Sequence, residues 1–247
     1  VGIVLWAGAN MRSHGQCIAE FLYLMGLRPV WQRGSLRVID VEVIPLVELK
    51  RPRIDVTGRI SGLFRDSMPG AITWLDKAVE MVAALDEPMD LNFIRKHVLE
   101  DAGELESGGL DAKEAWAQAS YRIFGDPPGA YGAGVSAILE AKNWESIDDL
   151  AEVYVKFSGH AYDAQGKGVF CPSLFKKRMA NLDVTIKNED NRECHMLNSD
   201  DFNSYHGGMI ATVRSLKGKA PRSYCGDSND RSKVQMRSLQ EEVKRLF

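Results

Sequence analysis

Long hydrophobic runs are missing from the 247-residue sequence: no apolar stretch approaches the roughly 18–20 residues that a membrane-spanning helix requires. Cysteine is scarce. Cys17, Cys171, Cys194 and Cys225 lie far apart with no C-x-x-C pair, which argues against a thiolate zinc site or a disulfide scaffold and suits the reducing cytoplasm. Neither sign of charge dominates: 31 Lys+Arg against 34 Asp+Glu leaves a net −3, so no global positive field recommends nucleic acid as a partner. The common catalytic signatures are also absent, with no G-x-x-x-x-G-K-[ST], G-x-G-x-x-G, G-x-S-x-G or H-E-x-x-H. If ATP is used, another chain must bind it. What is present, 45% hydrophobic and 26% charged residues, is the composition of a folded water-soluble chain with one large domain or two modest ones. Val1 to Trp6 already reads as a buried strand with no initiator Met or signal segment before it, and Val234–Phe247 reads as a helix cut short. An excerpt from a longer polypeptide is therefore expected.

Gly15 to Gly26 carries Ile18, Phe21, Leu22 and Met25 at helical spacing before a glycine stop. Strand-like runs recur at Arg28–Trp31, Val38–Ile44 and Ile54–Ile60. Ile72, Leu75, Val79 and Val82 mark a second amphipathic helix, with Ser67 and Pro69 at its start. This alternation predicts an α/β unit over 1–87 with a Rossmann-like, largely parallel sheet and ligands at the carboxyl ends of its strands. Residues 88–182 read as a substantial helical insertion without convincing strands: helices at 92–106, 111–123, 133–142, 146–160 and 173–181, and a Pro/Gly loop at Asp126–Gly134. From 183 to 247 the chain returns to α/β, with strands at 183–187 and Ala220–Cys225 around a helix at 200–216, and is expected to continue beyond 247. The five tryptophans fit apolar patterns, and His97 and His160 read as surface residues.

Three segments carry more polar and glycine content than plain connections need. Ala7-Gly-Ala-Asn-Met-Arg-Ser-His-Gly15 would offer backbone N–H groups and Arg12 to an anion, or simply join strand to helix. Arg51 to Asp66 places Arg59, Arg65 and Asp66 near a strand end, where arginine forks suit a substrate with several carboxylates; an Arg–Asp pair that fixes the turn is the competing reading. From Asp183 to His206 six acids face two bases, with His195 and His206 among them, donors suited to a divalent first-row metal. Asp201 and His206, five apart, would sit about 140° around a continuous α-helix. Ser199-Asp200-Asp201 also makes a good helix cap with an acidic first turn. From Arg214 onward, nine Lys/Arg against four Asp/Glu form a basic stretch that could dock a partner or merely be solvated.

Together these segments resemble the large subunit of the ATP-dependent metal chelatases, specifically the cobaltochelatase (CobN-type) branch of the CobN/magnesium-chelatase family. The resemblance is carried by Ala9-Asn-Met-Arg12, Arg51-Pro-Arg-Ile-Asp-Val-Thr57, Ile60-Ser-Gly-Leu-Phe-Arg-Asp66, Pro128-Gly-Ala-Tyr-Gly-Ala-Gly134, Asp190-Asn-Arg-Glu193, and Ser199-Asp-Asp201 with Gly207-Gly-Met209, in one order over nearly the whole chain. Where Arg-Glu-His-Asp and Asp-Asp-Tyr-Tyr are expected, this chain has Arg192-Glu-Cys-His195 and Asp200-Asp-Phe-Asn203. The resemblance implies a piece of a tetrapyrrole-binding subunit, inactive alone, that inserts cobalt(II), its substrate, into hydrogenobyrinic acid a,c-diamide during cobalamin synthesis. AAA+ partner subunits would hold ATP and magnesium. Magnesium insertion into protoporphyrin IX, or a non-catalytic docking role toward the AAA+ partners, are the alternatives. Metal insertion needs transient oxygen or imidazole ligands and an acceptor for two N–H protons. The expected assignment is Glu193 and His195 as catalytic groups, Asp190 and His206 toward the metal, and Asn10, Arg12, Arg59, Arg65, Asp66, Asn191 and Arg192 toward the macrocycle.

Overall fold

Gly2–Leu5 is buried at every position and forms β1, the uniformly apolar kind of strand that a parallel sheet covered on both faces requires. It belongs to a computed structural model that describes residues 1–189 and 191–247. Trp6 leads into α1 (Ala7–Ser13), which ends at His14 in the left-handed region, and α2 (Gln16–Met25) is stopped as expected by Gly26 at φ +83°. A side chain at position 26 would collide with the Arg53 guanidinium. β2 (Leu27–Trp31) and β3 (Val38–Val43) pair only with each other, as an antiparallel hairpin beside the main sheet. After α3 (Leu46–Leu49) come β4 (Thr57–Ile60), α4 (Gly62–Ser67) capped by Ser61, and α5 (Pro69–Ala83), with Pro69 in its first turn.

The stretch expected to be free of strands holds three. α6 (Phe93–Ser107) and α7 (Ala112–Ala119) precede β5 (Ile123–Gly125); α8 (Val135–Glu140) and α9 (Ile147–Ser158) precede β6 (His160–Ala161) and β7 (Val169–Phe170). Strands of two or three residues leave no periodicity to read. α10 (Pro172–Ala180) leads to β8 (Val184–Asn188). The expected helix at 200–216 is built from α11 (Asp200–Phe202), a π-turn (Asn203–Gly207) and α12 (Gly208–Lys217). β9 (Arg222–Asp227), β10 (Gln235–Ser238) and α13 (Leu239–Leu246) close the chain.

The strand order β10-β9-β8-β1-β4-β5-β6-β7 makes one sheet, parallel from β9 through β5 and antiparallel at its margins, as the α/β reading anticipated. Helices cover both faces. Phe21, Leu75, Val79 and Ile94 pack on one side, and Phe124, Tyr154, Phe175 and Met209 on the other. From β1 the chain winds outward through β4 and β5, then returns to the opposite side of β1 for β8 and β9. The winding direction therefore reverses between β1 and β8, and in open α/β sheets the crevice at that reversal is where ligands bind.

Candidate functional site

On the β4 side the charged groups are locked together. Arg59 is fully buried: its Nε donates to Ser158 Oγ at 3.0 Å, its other nitrogens to Asp126 and the Ile60 carbonyl, and its guanidinium lies 4.5 Å from the Tyr205 ring centroid. Asp126 in turn accepts from the backbone of Gly62 and Gly132 and from the Tyr205 hydroxyl. The pair holds the Pro/Gly loop onto the sheet, so Arg59 is not open to a macrocycle, contrary to the expectation. Arg65 engages both oxygens of Asp66 at 2.6 and 2.9 Å and donates to the carbonyls of Pro127 and Ala130. That bond to Asp66 raises the Arg65 pKa and keeps the Asp66 carboxyl below its ordinary range. The pair fixes the turn and also lines a cleft of about 450 Å³ with Pro128, Gly129, Tyr162 and Asp163. The volume falls within the roughly 300–1,000 Å³ of ligand pockets.

At the reversal between β1 and β8 the picture differs. Arg12 Nη2 donates to the Glu189 carbonyl at 2.6 Å and its fork also reaches Ser228, so it ties α1 to the ends of β8 and β9. Asn10 is buried and joins the Trp6 carbonyl to the Ile18 N–H, a brace between α1 and α2. Lys187 on β8 is only 6% exposed, with its ammonium 5.7 Å from the Trp6 ring and 5.1 Å from Phe202. Among the described residues five buried side-chain polar atoms have no partner, and four of them, Arg12 Nε, Asn188 Oδ1, Glu189 Oε2 and His206 Nδ1, belong to this edge and the elements packed on it. Buried groups left this way normally have a reason, such as a ligand or ordered water that completes them.

His206 corrects a second expectation. The π-turn directs it inward, where it is fully buried, with Nε2 3.0 Å from Thr185 Oγ1. Burial, then the charge of Lys187, pushes its pKa down to about 3, so the ring is neutral and walled off from a metal. The expected ligand Asp190 lies outside the described residues. Asn191, Arg192, Glu193 and His195 form an outward turn. Asn191 Oδ1 accepts from the N–H of Glu193 at 2.9 Å and of Cys194 at 2.6 Å, and Asn198 brackets the turn through its bonds to Glu193 and His195. His195 Nδ1 accepts the Leu197 N–H at 3.2 Å, which puts the proton of the neutral ring on Nε2. Arg192 and Glu193 are exposed. Among the described residues no group of three or more His, Cys, Asp or Glu side chains is arranged to hold a metal ion.

β4 and β8 both neighbour β1, so the Arg65 and Glu193 segments leave the same edge of the sheet about 10 Å apart at their roots, two strand spacings of ~4.8 Å. Glu189, between them and α13, is pushed up to about 7 by burial and by the neighbouring Glu242 carboxyl. Sequence reasoning missed Lys187 and Asp126. A lysine inside the apolar strand Val184-Thr-Ile-Lys-Asn188 was a legible signal; an aspartate opening a Pro/Gly loop was not. His97, read as a surface residue, is partly exposed, and its Nδ1 meets Asp55 at 2.6 Å within a cluster where Arg122 grips both oxygens of that carboxylate.

A doubly wound α/β unit with its polar segments gathered at the reversal point defines the class. The chain belongs to the CobN/magnesium chelatase family, whose model matches residues 1–247. It is 44% identical over 246 residues to the aerobic cobaltochelatase subunit CobN of Pseudomonas aeruginosa, a match that takes in 100% of this chain. It is 34% identical over 248 residues to the chloroplastic magnesium-chelatase subunit ChlH of Oryza sativa, with 99% of this chain covered. The solved structure of the catalytic subunit of cobaltochelatase from Mycobacterium tuberculosis matches 99% of the chain with a TM-score of 0.92 and 42% identity. The chain spans 20%, 17% and 20% of these proteins' lengths.

Proposed function

We propose that the chain forms part of the macrocycle-binding subunit of an ATP-dependent cobaltochelatase of the cytoplasm, inserting cobalt(II) into hydrogenobyrinic acid a,c-diamide during cobalamin synthesis. The observation that carries this reading is the gathering of Trp6–Ser13, Ser61–Asp66, Lys187–Glu189 and Asn191–His195 at one carboxyl edge, beside the winding reversal. Identity of 44% to a cobalt enzyme's subunit against 34% to a magnesium enzyme's favours cobalt. ATP and its magnesium belong to AAA+ partner subunits in this reading, in keeping with the missing phosphate loop, and the chain alone does not turn over. No helix among the described residues is long and apolar enough to cross a membrane.

The division of labour follows from the surroundings of each group. Arg65 and Asp66 shape the cleft, and Arg192 supplies an exposed cation for a ring carboxylate. Arg12, Asn10 and Asn191 spend their hydrogen bonds on backbone and so position the loops. Glu193 takes a proton from a ring N–H as the cation enters, and His195 beside it exchanges protons with solvent. The test is cobalt insertion by the full-length protein with its ATPase partners. Glu193→Gln is expected to slow insertion by roughly 10²- to 10⁴-fold, the range of general base catalysis, with macrocycle affinity unchanged. Wild-type insertion rates in Glu193→Gln would remove Glu193 from the chemistry.

A further inference from the structure

Lys187 is a buried cation at this edge, and no carboxylate among the described residues forms an ion pair with it. It sits at the fourth position of β8, on the face that carries Thr185, one strand from β1. Aromatic rings flank its ammonium, Trp6 from the first loop and Phe202 from α11, and no ion pair among the described residues includes it. The nearest titratable neighbour on the π-turn, His206, is neutral, so nothing on that element offsets the charge. Burying an ammonium without a partner costs several kcal/mol, and aromatic faces return only part of that. Arg59, Arg53, Arg122 and Arg178, equally or more deeply buried, all hold a carboxylate. An aromatic-walled ammonium beside the winding reversal suits an anion carried on a flat apolar body: the rings pack on the body while the ammonium takes the charge.

We infer that Lys187, between Trp6 and Phe202, is the receptor for a peripheral carboxylate of the macrocycle, a binding residue additional to those read from the sequence. The inference rests on the function proposed above and specifies the side chain that reads the ring's charge. It is tested with the full-length protein by equilibrium titration of two probes: hydrogenobyrinic acid a,c-diamide, and the same ring with its free carboxylates methyl-esterified. Lys187→Met is expected to weaken binding of the acid by roughly 10- to 100-fold, the loss of one charge-assisted hydrogen bond, and to leave ester binding unchanged. Lys187→Arg should restore most of the loss. Unchanged affinity for the acid, or an equal loss for acid and ester, would overturn the assignment, the second result marking a packing role. Should wild-type protein bind neither probe, the chelatase reading itself falls, and this inference with it.

Discussion

The two flanks of β1 treat buried charge in opposite ways. Toward β4, Arg59, Asp126, Tyr205 and the backbone of the Pro/Gly loop close a network in which each charged group has its partner. Toward β8, Lys187 lacks a counter-ion among the described residues, and Arg12, Asn188, Glu189 and His206 each leave a buried polar atom unused. An unmet buried group costs about 1–3 kcal/mol, so a fold keeps several together only where something else completes them. In the function proposed above, the first flank is frame and the second is socket, a difference that no sequence motif marks.

That contrast can be broken by substitution. Arg59→Leu strands the buried Asp126 carboxylate and is expected to cost about 3–5 kcal/mol, read by chemical denaturation. A loss under 1 kcal/mol would show that the network is not closed. The next effect is a pH dependence at Glu189. A carboxyl raised from 4.5 to about 7 favours the protonated form in the fold. Its contribution is therefore fully present below about 4.5 and is lost as pH rises through 7. Hydrogen exchange at β8 and α13 should report local opening that grows from pH 5 to 8, and Glu189→Gln should flatten the difference. Lys187→Met, in contrast to Arg59→Leu, is expected to hold or raise stability, by about 1 kcal/mol, because an apolar chain of similar length replaces an unpaired cation. A fall of 3 kcal/mol would place Lys187 in the frame. Ser146→Ala, at the capping box of α9 and away from both flanks, should cost about 1 kcal/mol and leave ligand binding untouched.

Much of the frame was legible. Helical spacing and the Gly26 stop gave α2, Pro69 marked the start of α5, and the apolar runs gave β1 and β8 close to their observed bounds and β4 with its start three residues early. The short strands β5, β6 and β7 were not, because they carry too few residues for a period. Nor was it legible that β2 and β3 leave the sheet, since pairing partners are a tertiary choice. For the candidate site, composition picked out loops that leave one edge of the sheet but misjudged the depth of single residues. Arg59 and His206 look like ligands in a list and prove to be enclosed, the first by Asp126 and the second by a π-turn that α-helical spacing does not anticipate. Lys187, a charge inside an apolar strand, was legible as an anomaly, but its aromatic surroundings were not, because Trp6 and Phe202 come from distant parts of the chain.

The most direct measurement is a structure of the full-length protein with its macrocycle bound. The ring is expected at the carboxyl ends of β1 and β8, touching Trp6–Ser13, Lys187 and the Asn191–Asn198 turn, with Glu193 facing the ring nitrogens. A ring seated where it touches none of these would contradict the proposal.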